Sequence, residues 1–142
     1  MTDASADIAS YLISLGLGVS PATYYSSPVG VPISYGFLPD SPIKCSTIYN
    51  LSGQGPLATH DGDSDIRQMS VQAMVRSDDY DDASTRINAI YAALHKKKDL
   101  TLNGTGYILI WAEQDVISLG WYDDNAGRAL KLVQNFRIMR SG

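Results

Sequence analysis

The chain has few of the residues from which enzymes build reactive sites. Its 142 residues include one cysteine, Cys45, and two histidines, His60 and His95. A zinc site of the usual Cys/His type would need nearly all of them to converge, and a lone cysteine forms no internal disulfide. No dinucleotide fingerprint, phosphate-binding loop or nucleophile elbow occurs in the sequence. We therefore predict no catalytic site, no cofactor and no bound metal.

Long apolar runs and positive charge are also scarce. No apolar run approaches the roughly 20 residues that cross a bilayer, and the N-terminus lacks the basic and apolar regions of a secretory signal. The formal net charge is −4, so the chain repels nucleic-acid phosphates instead of gripping them. With 44% hydrophobic residues, the composition predicts one soluble domain over residues 1–142, with no membrane contact.

The most informative stretch joins a strand to a helix over residues 69–95. Apolar residues alternate up to Arg76 and then recur at spacings of three and four, which predicts a strand followed by a helix with Ser77 as its N-cap. Four acids open this helix and three lysines close it: Asp78, Asp79, Asp81, Asp82, Lys96, Lys97 and Lys98. Because these charges match the helix dipole, we interpret both clusters as helix-end charges and not as a metal site or a nucleic-acid patch.

A proline- and tyrosine-rich excursion over residues 19–42 follows a first amphipathic helix at about residues 3–17. Five of the six prolines lie in the excursion, a density that excludes a helix and a central strand. Tyr24, Tyr25 and Tyr35 also lie there, and aromatic side chains are favoured at interfaces. We predict that these tyrosines contact another subunit or a connector. The alternative is that they cover the domain's own core, because tyrosine is often half-buried in monomers.

Residues 50–65 form a Gly-, Ser- and Asp-rich loop that is longer than a simple connection requires. Asp61, Asp63 and Asp65 alternate in this loop, as carboxylates do at the start of a calcium-binding loop. The glycine and the bidentate glutamate that an EF-hand needs are both missing from their expected positions. We therefore expect a solvated acidic loop.

The remaining chain predicts strands at residues 43–49, 107–113, 116–122 and 128–140. In the last of these, four apolar residues share one face: Leu130, Leu132, Phe136 and Ile138. The order of elements favours an α+β domain in which two helices pack on a mainly antiparallel sheet, with the excursion and the acidic loop as additions.

Four places in this order resemble the tail-terminator proteins of long-tailed phages, a group also described as phage minor capsid proteins. They are a first helix ending in LISLGLG, the segment Pro39-Asp40-Ser41-Pro42 before the strand with Cys45 and Tyr49, the join VQAMVRSDDYDDASTRINAIYAAL, and closing strands that carry Leu119-Gly120 and Asn135-Phe136. The chain departs from the family pattern in a longer link over residues 19–38 and a longer loop over residues 50–65.

The resemblance implies a homo-hexameric ring on the end of the growing tail tube. Such a ring stops the addition of tail tube protein, offers a surface to the head connector or head-closure protein, and stays in the virion after assembly in the bacterial cytoplasm. Since an acidic channel repels phosphates, we predict that DNA passes through the lumen without specific binding. We also predict that Asp61, Asp63 and Asp65 face the lumen or the rim.

Two alternatives to this interpretation stay open. The nearer one is a head-closure or connector ring of the same phage neck, which would bind the portal side instead of the tube end. The more distant one is a small enzyme or ligand-binding domain, which would need convergent polar groups in a cavity between sheet and helices.

Overall fold

The computed structural model describes residues 3–40, 42–51, 56–58, 65–124 and 127–141. Within them lie three helices, α1 Ala4–Ser14, α2 Pro21–Ser26 and α3 Tyr80–Leu94. The strands are β1 Ile33–Tyr35, β2 Cys45–Leu51, β3 Pro56–Ala58, β4 Asp65–Ser77, β5 Lys97–Leu102, β6 Thr105–Ala112, β7 Ile117–Asp124 and β8 Gly127–Ser141.

The two longest strands, β4 and β8, form the centre of one eight-stranded sheet. They pair antiparallel from Ile66 opposite Ser141 to Ser77 opposite Leu130. β2 and β3 line the other side of β4, β6 and β7 line the other side of β8, and β1 and β5 extend the sheet from β2 and β6. Among the described strands only β1 and β2 pair in parallel. The predicted α+β class with a mainly antiparallel sheet is therefore confirmed.

Helices α1 and α3 pack on one face of the sheet and enclose a single core. Val71, Ala73 and Val75 of β4 point into it at the spacing of two that a strand imposes. The core also includes Ile8, Leu12, Ile87, Leu94, Leu130, Leu132, Phe136 and Ile138. Full burial of one such large apolar side chain contributes about 1.5–3 kcal/mol. The inward faces predicted for β4 and β8 are thus confirmed.

A buried polar network attaches α1 to the far half of the sheet. The Asp7 carboxylate accepts hydrogen bonds from the Tyr107 hydroxyl and from Asn103 Nδ2, and Arg140 Nη1 donates to the same hydroxyl at 3.0 Å. Arg140 Nη1 also lies 3.8 Å from Asp7 Oδ2. Burial, followed by the hydrogen bond to Asp7, raises the pKa of the Tyr107 hydroxyl. The first helix is therefore held to β6 and β8 by paired charges as well as by apolar contacts.

The start of α3 differs from the prediction by two residues. Asp79 is the N-cap, because its carboxylate accepts the Asp81 N–H at 3.1 Å. Ser77 instead ends β4, where its hydroxyl accepts the Asp79 N–H and donates to Asp82. Burial by itself would raise the pKa of Asp82, but hydrogen bonds from Ser77 and Arg86 and the positive charge of Arg86 lower it overall. The acids at this helix start do serve as helix-end charges.

The helix-end interpretation of the three lysines is wrong. α3 ends at Leu94, Lys96 has a positive φ of 63°, and Lys97 and Lys98 already belong to β5. Lys97 pairs with Ile110 of β6, so the chain reverses immediately after the helix. The strand continues to Leu102, and Leu100 and Leu102, two residues apart, both pack against the core.

The prediction that residues 19–42 contain no helix is also wrong. α2 forms within them because Pro21 occupies the first helical turn, where its missing N–H has no intrahelical partner to lose. The Ser20 hydroxyl caps this helix by accepting the Thr23 N–H at 3.2 Å. The other element of the excursion, β1, is the short edge strand that its proline content allows.

The acidic loop is described only in part. β3 lies inside it and pairs with β4, and β4 itself begins at Asp65. Asp61 and Asp63 lie outside the described residues, so their predicted position at the lumen or rim stays a prediction, together with that of Asp65.

Arg76 holds the end of the excursion against the sheet. Arg76 is 2% exposed, and its guanidinium donates hydrogen bonds to the backbone carbonyls of Pro39, Pro42 and Ile43. Arg86 of α3 in turn donates to the Arg76 carbonyl at 2.8 Å. Because a rigid guanidinium fork can satisfy several carbonyls at once, one side chain determines where the proline segment lies.

We predict that Arg76→Met lowers the free energy of unfolding by about 3 kcal/mol, because the buried carbonyls lose their charged donors. Arg76→Lys should recover only part of this loss, since an ammonium lacks the fork. Urea unfolding followed by circular dichroism measures both effects.

Arg137→Met is the matched control. Its guanidinium is more exposed and forms one long ion pair with Glu113 at 3.4 Å, so its loss should cost about 0.5 kcal/mol or less. Equal midpoints for Arg76→Met and Arg137→Met would contradict the anchoring role.

Candidate functional site

The structure places the three predicted interface tyrosines in two different elements. Tyr24 and Tyr25 are neighbours on α2, where their rings meet edge to face with centroids 5.7 Å apart. Tyr35 ends β1. Tyr25 is 62% exposed and Tyr35 is 52% exposed, so both contribute little to the core of their own chain. Their contact with another protein stays a prediction.

The excursion presents more apolar surface than the tyrosines alone. Val29 is 73% exposed and Phe37 is 58% exposed. Phe37 lies two residues after the end of β1. Its carbonyl accepts a hydrogen bond from the Thr47 hydroxyl of β2 at 2.6 Å. The backbone is thus attached to the sheet while the side chain faces outward. We call Tyr25, Val29, Tyr35 and Phe37 the excursion patch.

A second apolar surface lies on the hairpin of β7 and β8, and sequence reasoning did not find it. Ile117, Leu119 and Trp121 are 40%, 55% and 44% exposed; we call them the arm patch. The pairing of β7 with β8 shifts register between Ser118 and Trp121, where Gly120 has a φ of +80°. A left-handed residue at a bulge is the usual role of glycine in a strand. Ile117 pairs with Val133 and Trp121 with the core residue Leu130, so the bulge turns Trp121 to the helix side of the sheet and Ile117 to the other side. The apolar alternation of these residues in the sequence does not show this change of face.

Cations lie on the aromatic rings of this hairpin. The Arg128 guanidinium is 5.5 Å from the centroid of the Trp121 ring, and Lys131 Nζ is 4.5 Å from that of Tyr122. Such contacts contribute about 0.5–1 kcal/mol each at exposed sites. They hold the long cationic side chains against the hairpin and stiffen its surface.

The face of the sheet opposite the helices carries polar pairs. Gln72 Nε2 donates to Asn135 Oδ1 at 3.0 Å, while Glu113 accepts from the Ser70 hydroxyl at 2.7 Å. These side chains satisfy one another's hydrogen bonds across β4, β8 and the end of β6. They offer amide and hydroxyl surface but no activated nucleophile beside a base, which is the arrangement that covalent catalysis requires.

A groove of about 200 Å³ lies between α1 and the turn joining β5 to β6. It is lined by Asp7, Ser10, Tyr11, Ser14, Thr101, Leu102 and Asn103. Its only carboxylate, on Asp7, is already hydrogen-bonded to Asn103 and Tyr107. The groove therefore holds hydroxyl groups and one internally paired charge.

The described residues lack two further features. No group of three or more His, Cys, Asp or Glu side chains there is arranged to hold a metal ion. None of the helices in that part of the chain has the length and apolar character needed to cross a membrane. Among the described residues, the members of the two apolar patches are exposed, and so are Leu15, Tyr80 and Ile108 elsewhere on the surface.

Comparison with solved structures finds a similar fold. A chain from the virion of a native gene transfer agent particle has a TM-score of 0.56 at 14% identity, covering 98% of this chain and 95% of that one. Identity at this level shows a shared fold alone. A second solved chain, at 12% identity and with 96% of each chain covered, has a TM-score of only 0.37, which is too low to show a shared fold.

Sequence comparison is more specific. No curated protein matches the sequence. The model of the family described as bacteriophage tail terminator protein matches residues 11–130, which include α2, α3 and all of β1 to β7. The chain therefore belongs to the bacteriophage tail terminator protein family and is a structural component of the phage tail, not an enzyme.

Proposed function

We propose that this chain forms a ring that caps the phage tail tube, ends tube polymerisation and joins the tail to the head connector. The observation that carries the proposal is the family match over residues 11–130. Exposed apolar side chains at two edges of the sheet support it, because a neighbouring subunit can reach Tyr35 on β1 and Leu119 on β7. In this proposal the ring has six copies and its direct partners are the tail tube protein and the head connector or head-closure protein.

The charge of the chain suits a passage for DNA. Each copy carries a formal net charge of −4, and a channel lined by acidic subunits repels phosphates, so DNA passes without specific binding. In this proposal Asp61, Asp63 and Asp65 line the lumen or its rim. A structure of the assembled ring with this loop on its outer wall would rule that placement out. Assembly takes place in the cytoplasm of the bacterial host, and the ring stays in the virion.

An early stop codon in this reading frame tests the terminator function in phage particles. We expect overlong or unjoined tail tubes beside filled heads, because nothing stops tube growth or seals the junction. The same protein supplied in trans should restore normal tails, and negative-stain electron microscopy measures both results. Tails of normal length beside heads that leak or stay empty would instead assign the chain to a head-closure or connector ring.

Replacing Tyr24 and Tyr25 together with Ser tests the predicted interface. Assembly should weaken by about tenfold or more, because aromatic side chains dominate interface energies. Stability should change by less than about 1 kcal/mol, since Tyr25 lies on the surface. Sedimentation measures assembly and urea unfolding measures stability. Tyr91→Ser, which changes an exposed tyrosine on α3, is the matched control. Unfolding of the double variant would show that the tyrosines serve the core.

A further inference from the structure

The turn between β5 and β6 consists of an asparagine followed by a glycine. Asn103 and Gly104 connect Leu102 to Thr105, which pair with each other at the end of the two strands. Both turn residues have a positive φ, 50° and 78°, as the two-residue hairpin turn that favours Asn-Gly requires. Asn103 is exposed, and the space beside Gly104 is open. This is the only Asn-Gly pair in the sequence.

An Asn-Gly pair is the arrangement in which an amide side chain reacts most readily with its own backbone. The backbone nitrogen of the second residue attacks Cγ of the asparagine, and a glycine leaves this nitrogen accessible because it has no Cβ. The new N–C bond closes a succinimide, while the proton of the attacking nitrogen leaves with the amide group as ammonia. Water then adds to either carbonyl carbon of the succinimide and opens it to aspartate or isoaspartate. The reaction therefore needs only water.

The side chain of Asn103 has a specific structural role. Its Nδ2 donates a hydrogen bond to Asp7 Oδ1 at 2.7 Å, and Asp7 of α1 is 1% exposed. The other oxygen of this carboxylate accepts a hydrogen bond from the Tyr107 hydroxyl of β6. The amide of Asn103 therefore satisfies one side of a buried carboxylate and attaches α1 to the tip of the β5–β6 hairpin.

Deamidation at this position turns an attraction into a repulsion. Near neutral pH a carboxylate has no proton to donate, and it carries the same charge as the Asp7 carboxylate. Because the two groups lie at hydrogen-bond distance and one of them is buried, solvent screens their repulsion poorly. Isoaspartate also lengthens the backbone of a turn that has only two residues. Either product breaks the attachment of α1 to the hairpin.

The position of the hairpin in the sheet gives the reaction a route in the folded chain. β5 lies at the end of the strand order and is attached to the sheet through β6. Its tip therefore opens with less loss of structure than the centre of the sheet. Attack by the Gly104 nitrogen requires the Asn103 side chain to leave Asp7 and turn towards the backbone. The hydrogen bond to Asp7 thus slows the reaction, and local opening of the hairpin determines its rate.

We propose that Asn103 is a site of spontaneous deamidation and that its conversion to aspartate or isoaspartate detaches α1 from the β5–β6 hairpin. The Asn-Gly turn supplies the reactive groups, and the hydrogen bond to Asp7 supplies the structural consequence. The inference concerns the chemical ageing of the chain and does not depend on the proposed ring function.

Peptide mapping by mass spectrometry tests the reaction. The purified chain is incubated in mildly alkaline buffer, and fragment spectra assign each modified residue. We expect Asn103 to gain the mass difference between an amide and an acid. Asn88 is the internal control, because it is also exposed but precedes Ala89 within α3; it should stay unmodified. The chain unfolded in guanidinium chloride should react at Asn103 about tenfold faster or more, since opening is then complete.

The unfolded chain also defines the result that would overturn the proposal. If Asn103 of the folded chain shows no mass gain in the time that converts the unfolded chain completely, Asn103 is not a deamidation site of the folded protein. A gain at Asn88 equal to that at Asn103 would show that the turn and its glycine have no special reactivity.

Asn103→Asp tests the structural consequence. Near neutral pH the ratio of folded to unfolded chain should fall by about tenfold or more, because Asp7 loses a donor and gains a like charge. Asn103→Gly is the matched control, since glycine tolerates the positive φ and removes the donor without adding charge. The difference between the two variants should shrink below about pH 4, where carboxylates take up protons.

Guanidinium unfolding followed by circular dichroism measures these ratios, and amide hydrogen exchange locates the change. For Asn103→Asp, exchange should accelerate in α1 and not in α3, because Asp7 belongs to α1. Equal unfolding midpoints for Asn103→Asp and Asn103→Gly near neutral pH, or unchanged exchange in α1, would overturn the proposed detachment.

Discussion

The pairing of β4 with β8 is the constraint on which the rest of the structure depends. Twelve consecutive residues of β4 face twelve of β8, from Ile66 to Ser77. Every other strand attaches directly or indirectly to one of these two. A shift of one residue would turn Val71 and Phe136 away from the helices and bury polar side chains in their place. The register therefore determines the core and, through it, the positions of both sheet edges.

Buried polar groups attach the outlying elements to this centre. Arg76 binds the proline segment through three carbonyls, and Asp7 attaches α1 through Tyr107 and Asn103. Burying a charge lowers the stability of the fold unless the hydrogen bonds of that charge are satisfied. Such groups favour the observed arrangement, because moving the helix or the proline segment away would break these hydrogen bonds. The end of the excursion is thus held against β4.

Exposed apolar side chains stand on strands at the edges of the sheet. The polar groups near the groove and on the open face of the sheet pair with one another. Phe37 and Leu119, by contrast, remain largely exposed on opposite edges. This arrangement suits a protein of the tail terminator family, whose task depends on contacts between chains.

Local periodicity was enough to predict the α+β class, the core faces of β4 and β8, and the apolar stripe of α3. These features depend on neighbours two to four residues apart, which the sequence displays directly. The amino-acid sequence of the strand-to-helix join at residues 69–95 was also enough to indicate the family. By contrast, α2 and β5 were missed, since a proline at a helix start and a lysine-rich segment have weak intrinsic preferences. The three lysines were misplaced for the same reason.

The sequence by itself therefore determined the class of fold and the family, because both are expressed in local pattern. It also identified Tyr24, Tyr25 and Tyr35 as unusual, but not where they lie. Only the tertiary structure decided that Tyr25 and Tyr35 are exposed, that the hairpin of β7 and β8 carries a second apolar patch, and that the two patches occupy opposite edges. Edges depend on strand order, which arises from pairing between residues far apart in the chain and leaves no periodic trace in the sequence.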